Sequence, residues 1–210
     1  MAGPGRFITF EGGEGVGKST QARRLADSLA TEGVPVLLTR EPGGSPGAEI
    51  LRDMLLNGEH EWAPAAEIIL HFASRAEHIA RTIRPALDAG ITVICDRYYD
   101  STLAYQGHGQ GGDRRTIAVL SELMGLVPDL TIVLDIPVAT SLARLSGRGL
   151  AADRYERLGA PFFARIRDGF LAIVADNSAR CVLIREGETE ADAGTLATIV
   201  RGIVDRRFPR

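Results

Sequence analysis

The chain has 210 residues, of which 45% are hydrophobic and 24% are charged, and its formal net charge is −3. This length suits one α/β domain with a small lobe or lid. A net charge this small gives no overall field that attracts nucleic acid. No apolar run approaches the roughly 20 residues that span a bilayer, and the first residues show no secretory signal. The two cysteines form neither a disulfide framework nor a metal-binding pattern, so we expect a cytoplasmic protein.

Short apolar runs rich in β-forming residues alternate with helical patterns along the chain. We predict strands at 6–11, 34–40, 91–96, 130–136 and 180–185. We predict helices at 18–32, 64–89, 113–125, 138–146, 159–177 and 189–206, with one more after the second strand that contains Arg52. This alternation predicts a doubly wound parallel sheet of five strands with helices on both faces, formed by a single domain over residues 1–210. Ligands of such sheets bind beyond the carboxyl ends of the strands.

Residues 10–20, FEGGEGVGKST, contain a complete P-loop between a predicted strand and a predicted helix. The glycines let backbone N–H groups point at phosphate oxygens, Lys18 reaches the β- and γ-phosphates, and the Ser19 hydroxyl binds Mg²⁺. Lys18 is also the sole lysine among 24 basic residues. We therefore predict a nucleoside triphosphate site. Its residues are Gly12, Gly13, Glu14, Gly15, Val16, Gly17, Lys18, Ser19 and Thr20.

Which class of P-loop protein this is follows from the rest of the chain. The guanine-reading motif N-K-x-D of GTPases needs a second lysine, and none exists. The remaining motifs favour a kinase of small molecules, which needs an acceptor pocket and a lid. A non-catalytic ATP-binding switch is the alternative from another class, although a switch has no need of an acceptor pocket.

The segment 93–107, VICDRYYDSTLAYQG, supplies a second group of candidate residues. Asp96 ends a predicted strand, where its carboxylate can hold Mg²⁺ directly or through water. Arg97 can bridge the two phosphates that are being joined, and a surface ion pair between these two residues is the alternative. Tyr105 and Gln106 offer an aromatic wall and an amide to a sugar and a base edge.

Arginines mark two further segments. In TREPGGSPGAEILRDML, residues 39–55, Arg40 and Arg52 can hold a monophosphate, although a solvated helix face is as good an interpretation for Arg52. The Glu41–Pro42 bond between them is a candidate for the cis form. A glycine-bounded stretch at about 146–156 is a candidate lid whose arginines close over the transferred phosphoryl group. The alternative interpretation is a solvent-exposed run of charged residues. The arginines on or beside this stretch are Arg144, Arg148 and Arg154.

Four segments in this order, FEGGEGVGKST, TREPGG, DRYYDSTLAYQG and the lid ending in DRYE, resemble those of bacterial thymidylate kinases. The resemblance covers essentially the whole chain. It implies the P-loop kinase fold and phosphorylation of dTMP to dTDP with ATP and Mg²⁺, in dTTP synthesis in a bacterial cytoplasm. It also implies a homodimer built through helices, and no nucleic-acid or membrane partner.

The same resemblance implies roles for individual residues. Arg97 contacts both phosphoryl groups, with Arg40 and Arg52 near the dTMP phosphate and sugar. Arg148, with Arg144 or Arg154, supplies catalytic charge from the lid, and Arg144 is also a candidate for the adenine pocket. Glu14 accepts a hydrogen bond from the sugar 3′-hydroxyl. The base and sugar pocket is implied to include Glu41, Pro42, Arg75, Ser101, Thr102, Tyr105 and Gln106, with Arg75 donating to thymine O4 and Tyr105 crowding the sugar 2′ position.

One position departs from the family pattern. The family places a phenylalanine that stacks on thymine four residues before the base-reading arginine, and here His71 stands at that place with Phe72 beside it. On a helix, either ring lies on the side of Arg75, so either could face the base. The departure also leaves open another pyrimidine nucleotide, such as dUMP, because one methyl group contributes only about 1–3 kcal/mol of discrimination in a pocket.

Overall fold

A computed structural model describes residues 5–57, 60–147, 155–185 and 193–209. Its five strands are all parallel and form one sheet, as the sequence predicts, and their order in the sheet is β2-β3-β1-β4-β5. The strands are β1 Phe7–Glu11, β2 Val36–Arg40, β3 Thr92–Asp96, β4 Leu130–Asp135 and β5 Cys181–Arg185. Because β1 is central, the P-loop that follows it lies in the middle of the carboxyl edge of the sheet.

The described residues form nine α-helices where the sequence predicted seven helices, because one predicted helix is divided and one observed helix was not predicted. They are α1 Lys18–Thr31, α2 Pro46–Leu56, α3 Pro64–His78, α4 Arg84–Asp88, α5 Tyr99–Thr102, α6 Arg114–Met124, α7 Val138–Ser146, α8 Gly159–Asp176 and α9 Ala193–Arg207. The predicted helix 64–89 is interrupted by a π-helical turn, Ile79–Ile83. The turn precedes Pro85, which has no N–H to donate to the preceding turn of an α-helix.

A helix over 99–109 is absent from the sequence prediction. In the structure α5 continues as the π-helical segment Leu103–Gly109. The glycines that argue against a helix here have a packing role. A Cβ atom at Gly109 would lie 2.6 Å from the ring of Phe162 on α8, so the missing side chain allows the two helices to approach closely.

Both faces of the sheet are covered, as expected for parallel strands. On one face, Ile8 and Phe10 pack with residues of α1 and α9. On the other face, Val133 packs with α8, and Phe7 packs with the helical turn after α3. None of the helices in the described residues is long and apolar enough to cross a membrane. Most of the predicted lid, including Arg148 and Arg154, lies outside the described residues.

Candidate active site

A cavity of about 510 Å³ opens at the carboxyl edge of the sheet, next to the ends of β1, β2 and β3. Cavities of this size are typical of sites for small molecules. Most of the residues that the sequence singled out line it. They are Glu14, Gly15, Gly17, Lys18, Ser19, Thr20, Arg40, Glu41, Pro42, Arg52, His71, Arg75, Asp96, Arg97, Ser101, Thr102, Tyr105 and Gln106.

The P-loop has the backbone shape that its glycines permit. Gly12, Gly15 and Gly17 have φ angles of 131°, 70° and 91°, which residues with a Cβ atom rarely adopt. At Gly12 a Cβ atom would also lie 2.2 Å from the carbonyl oxygen of Leu134. Gly13 and Val16 do not line the main cavity, and the Val16 side chain packs into the core. The loop leads directly into α1, whose first residue is Lys18.

Lys18 is buried at this helix start, and its Nζ donates a hydrogen bond of 2.6 Å to the carbonyl oxygen of Gly13. The pKa of Lys18 is lowered to about 8, mainly by burial and then by the positive charge of Arg97, while Glu14 and Asp96 partly oppose these effects. A buried ammonium in this position is under-stabilised and gains from the arrival of a phosphate anion.

Ser19 and Asp96 place two oxygen-bearing side chains side by side in the cavity wall. The Ser19 hydroxyl donates to Oδ2 of Asp96. The other carboxylate oxygen, Oδ1, is buried and has no hydrogen-bond partner in the part of the chain that the structure describes. No cluster of three or more His, Cys, Asp or Glu side chains suited to a metal occurs among the described residues. This donor set fits Mg²⁺, which takes few protein ligands and keeps its waters and nucleotide phosphates.

Arg97 lies between the P-loop and the rest of the cavity. It has a left-handed backbone with φ 73°. Its Nη1 donates to the Gly12 carbonyl and the Ser101 hydroxyl, both at 3.1 Å. Its Nη2 donates to Glu14 at 2.5 Å and to the Tyr105 hydroxyl at 3.0 Å. Although burial opposes the charge, Glu14 and other nearby acids raise the pKa of Arg97, so this guanidinium stays charged. Glu14 therefore faces a fixed cation.

Arg75 lines the cavity and has one buried donor without a partner among the described residues. Its Nε donates to Oε2 of Glu41 at 2.8 Å, and its Nη2 donates to the Thr102 hydroxyl at 3.2 Å. Its Nη1 is buried and has no hydrogen-bond partner among the residues described. The other oxygen of Glu41 lies 3.1 Å from Nδ1 of His78. The Glu41–Pro42 bond between this site and β2 is cis, as the sequence suggested.

His71 and Phe72 take different positions. The His71 side chain lines the cavity, and its Nε2 lies 3.3 Å from the hydroxyl of Tyr155. Phe72 is 3% exposed and packs with Ile68 and Ile117, with the Arg75 guanidinium 4.7 Å from its ring. Of the two rings, His71 is the one that faces the cavity.

Of the remaining predicted arginines in the described residues, Arg40 and Arg52 line the cavity and Arg144 does not. Arg40 is half-exposed and pairs with Glu49 at 3.1 Å, and Nη1 of Arg52 donates to the Pro42 carbonyl at 2.6 Å. Burial, and then the charge of Arg40, lower the pKa of Arg52, which indicates a cation that would gain from an anion. Nη1 of Arg144 donates to the P-loop carbonyl of Gly15 at 3.3 Å, although Arg144 does not line the main cavity.

Sequence reasoning missed several residues at this site. Leu56, Tyr98 and Tyr155 also line the cavity. The Tyr155 hydroxyl donates to Oε1 of buried Glu67 at 2.9 Å and accepts from Nε2 of Gln106 at 3.0 Å. Tyr155 lies within the DRYE segment, so its motif was a usable signal, whereas nothing in the sequence around Glu67 marks it as its partner.

The chain is similar to known proteins over most of its length. The family model described as thymidylate kinase matches residues 10–192. The thymidylate kinase of Caulobacter vibrioides is 51% identical over 92% of this chain and 93% of its own, and that of Gluconobacter oxydans is 50% identical over 90% of each. The crystal structure of thymidylate kinase from Ehrlichia chaffeensis has a TM-score of 0.78 at 35% identity, covering 96% of this chain and 99% of that one.

Proposed function

This chain belongs to the thymidylate kinase family, whose members phosphorylate dTMP to dTDP with ATP and Mg²⁺, and we propose that the residues of the cavity described above carry out this reaction. One observation carries the assignment of the site. The phosphate-binding Lys18 and Ser19 line the same cavity as Arg75 with its unpaired buried donor, and Arg97 lies there too. A single pocket thus offers a place for a triphosphate and for a second, base-bearing substrate.

The chemistry requires two polyanions to meet. The attacking group, a phosphate oxygen of dTMP, is already an anion and needs no base, so positioning and charge stabilisation provide most of the catalysis. In our proposal Lys18 and the N-terminus of α1 hold the β- and γ-phosphates of ATP. Ser19 and Asp96 hold Mg²⁺, which when bound neutralises part of the phosphate charge.

Arg97 contacts both phosphoryl groups in this proposal. Its charged guanidinium, fixed by Gly12, Ser101 and Glu14, supports the role, because donors that are already oriented need no reorganisation as charge develops. Arg40 and Arg52 bind the dTMP phosphate from the β2 side. Charge from the lid comes from Arg148, with Arg144 or Arg154.

The nucleoside of dTMP occupies the other end of the cavity. We assign the unpaired Nη1 of Arg75 to thymine O4, because a buried donor without a partner gains a full hydrogen bond when a carbonyl arrives. His71 stacks on the base, beside Thr102 and Gln106. Tyr105 lies against the sugar with Glu14, whose carboxylate accepts from the Tyr105 hydroxyl at 2.9 Å and is therefore in place to accept from a 3′-hydroxyl.

A coupled assay of ADP production with each nucleoside and deoxynucleoside monophosphate tests the reaction. We expect dTMP to exceed every other acceptor, dUMP included, by at least about tenfold in kcat/KM. A smaller preference would refute the assignment of dTMP, and no ADP production with any acceptor would refute transfer altogether. Lys18→Ala and Arg97→Ala should each lower kcat by at least about 10²-fold with circular dichroism unchanged. Near-normal turnover of either variant contradicts its role.

The Glu14 assignment has its own test. Glu14→Gln keeps the shape of the side chain but weakens its acceptor for the sugar hydroxyl and its hold on Arg97. We expect the KM for dTMP to rise several-fold more than the KM for ATP. An equal rise of both constants would contradict a position beside the acceptor.

We also propose that the protein is a homodimer of the bacterial cytoplasm in which one domain forms each protomer. Supporting the dimer, five large apolar side chains are at least two-fifths exposed on α2, α3 and α6, which pack side by side. They are Ile50, Met54, Ile69, Val119 and Leu123. Sedimentation equilibrium tests this: we expect a dimer for the wild type and a monomer for Leu123→Glu. A monomeric wild type at micromolar concentration would contradict the proposal. The two cysteines, both buried and free, are compatible with a reducing compartment.

A further inference from the structure

Glu11 ends β1, immediately before the P-loop, and its side chain is fully buried. Its Oε1 accepts from the backbone N–H of Tyr98 at 2.7 Å, and its Oε2 accepts from the Ser101 hydroxyl at 2.5 Å. Both partners belong to the turn after β3 that carries Arg97, some 90 residues away along the chain. This one carboxyl group therefore joins the strand of the P-loop to the turn of Arg97.

The Arg97 turn requires such a connection. Its left-handed backbone, with φ 73°, costs a non-glycine residue about 1–2 kcal/mol. The N–H of Arg97 donates to the Phe10 carbonyl at 2.9 Å, and the next N–H, that of Tyr98, would have no acceptor without Glu11. The Ser101 hydroxyl that contacts Glu11 also accepts from Nη1 of Arg97. Glu11 thus restrains both the backbone and one edge of the guanidinium.

We propose that Glu11 is a positioning residue for phosphoryl transfer, which holds the Arg97 guanidinium in its working place through the Tyr98 backbone and the Ser101 hydroxyl. The inference rests on the proposed role of Arg97. Glu11 does not line the cavity, so its effect has to pass through these contacts. A displacement of a catalytic group by about 1 Å can lower a rate by about 10²-fold, so a buried support of this kind matters to kcat.

The charge of Glu11 fits this role. The pKa of Glu11 is raised to about 8, mainly by burial and then by the Asp100 carboxylate, while the Ser101 hydrogen bond and the charge of Arg97 oppose the rise. Near neutral pH the side chain is mainly the neutral acid, whose Oε1 still accepts from the N–H of Tyr98 and whose Oε2 keeps a hydrogen bond with the Ser101 hydroxyl. Glu11 therefore holds Arg97 without adding negative charge where two polyanions meet. A glutamine has the same shape, acceptor and donor.

Three variants separate positioning from simple stability. Glu11→Leu removes both contacts at similar volume, and we expect kcat to fall about 10- to 100-fold, with the KM values for ATP and dTMP within about threefold. Glu11→Gln should keep kcat within about threefold of the wild type. Thr9→Val is the matched control: Thr9 lies two residues before Glu11 in β1, and the variant removes its buried hydrogen bond of 2.8 Å to Thr131 in β4. It should lower Tm and leave kcat unchanged.

A double-mutant cycle gives the deciding result. If Glu11 acts through Arg97, Glu11→Leu combined with Arg97→Ala should have the kcat of Arg97→Ala alone, within about threefold. Multiplied losses would overturn the inference. Normal kcat in Arg97→Ala would refute the proposed role of Arg97 itself, whereas a loss in Arg97→Ala with normal kcat in Glu11→Leu refutes only the inference.

Ser101→Ala provides a second route if Glu11→Leu does not fold. It cuts the connection from Glu11 to the guanidinium without placing an apolar side chain beside Tyr98. We expect a loss of kcat of about 3- to 30-fold that disappears in the Arg97→Ala background. A loss that persists in that background, or no loss at all, would overturn the inference.

Discussion

Replacing Arg75 with methionine tests base recognition and stability at the same time. Arg75 and Glu41 form an ion pair at 2.8 Å in which both side chains are 3% exposed. Removing one partner of such a pair leaves a buried charge, at a typical cost of about 3–5 kcal/mol. That is a large part of the 5–15 kcal/mol by which a typical domain is stable, although His78 still contacts the other oxygen of Glu41. We expect Arg75→Met to fold, with a clearly lowered free energy of unfolding.

The double variant Glu41→Gln/Arg75→Met separates the two effects. It removes the unpaired charge, so we expect most of the lost stability to return in urea denaturation. The contact of Nη1 with thymine O4 does not return. A hydrogen bond from a charged donor contributes about 1.5–3 kcal/mol, so the KM for dTMP should rise by about 10- to 150-fold in both variants. The KM for ATP should stay within about threefold of the wild type, because Arg75 lies at the other substrate's end.

A matched substrate makes this test specific to O4. 5-Methyl-dCMP keeps the methyl group of dTMP and carries an amino group in place of O4, so it offers Arg75 no acceptor. The wild type should strongly prefer dTMP over this analogue, and the Arg75 variants should lose most of the preference. A stable double variant that keeps both its dTMP KM and its discrimination within about threefold of the wild type would refute our assignment.

Three further predictions concern titration and stacking. Because Lys18 is the sole lysine, lysine-labelled protein should give one side-chain NMR signal, which without Mg²⁺ titrates near pH 8; a midpoint above about 9.5 contradicts the burial effect. His71→Phe should lower the KM for dTMP a few-fold, since phenyl offers more apolar area for stacking, and an unchanged or higher KM would argue against a stacking role. The pKa of Glu11 is raised from 4.5 to about 8, mainly by burial, so its contribution to stability is full below pH 4.5 and is lost as pH rises through 8. In denaturation measured across this pH range, the free energy of unfolding of the wild type should fall by up to about 5 kcal/mol relative to that of Glu11→Gln. Parallel pH curves for the two proteins would contradict this prediction.

The parts of the structure that follow from local chemistry could be predicted. The P-loop depends on glycines whose positive φ angles and missing Cβ atoms are properties of those residues, and its place after a strand follows from adjacent residues. The strands are recognisable because burial on both faces leaves few polar positions in them. Asp96 and Arg40 could be predicted to lie near a ligand because each ends a parallel strand, and ligands bind beyond the carboxyl ends of such strands.

The parts that depend on contacts between distant segments could not be predicted. Periodicity places both His71 and Phe72 on the side of Arg75, and only the packing of Phe72 against Ile117 on α6 decides which ring is buried. The helix over 99–109 forms against its glycine content because α8 packs onto it. From the sequence, Glu11 is only an acidic residue at the end of an apolar strand. Its role could not be predicted because its hydrogen-bond partners, Tyr98 and Ser101, are far away along the chain.

The pairing of charges in the cavity explains why a phosphate-binding loop contains Glu14. Several cations crowded into a partly buried space repel one another, and each loses its hydration, so without nearby acids they would destabilise the empty enzyme. Here Arg97 pairs with Glu14, Arg75 with Glu41, and Arg40 with Glu49. The acids fix each guanidinium in direction before the substrates arrive, and the guanidinium groups keep further N–H donors to offer. For a reaction that depends on where charge is held, Glu14 is therefore part of the preorganisation of the site.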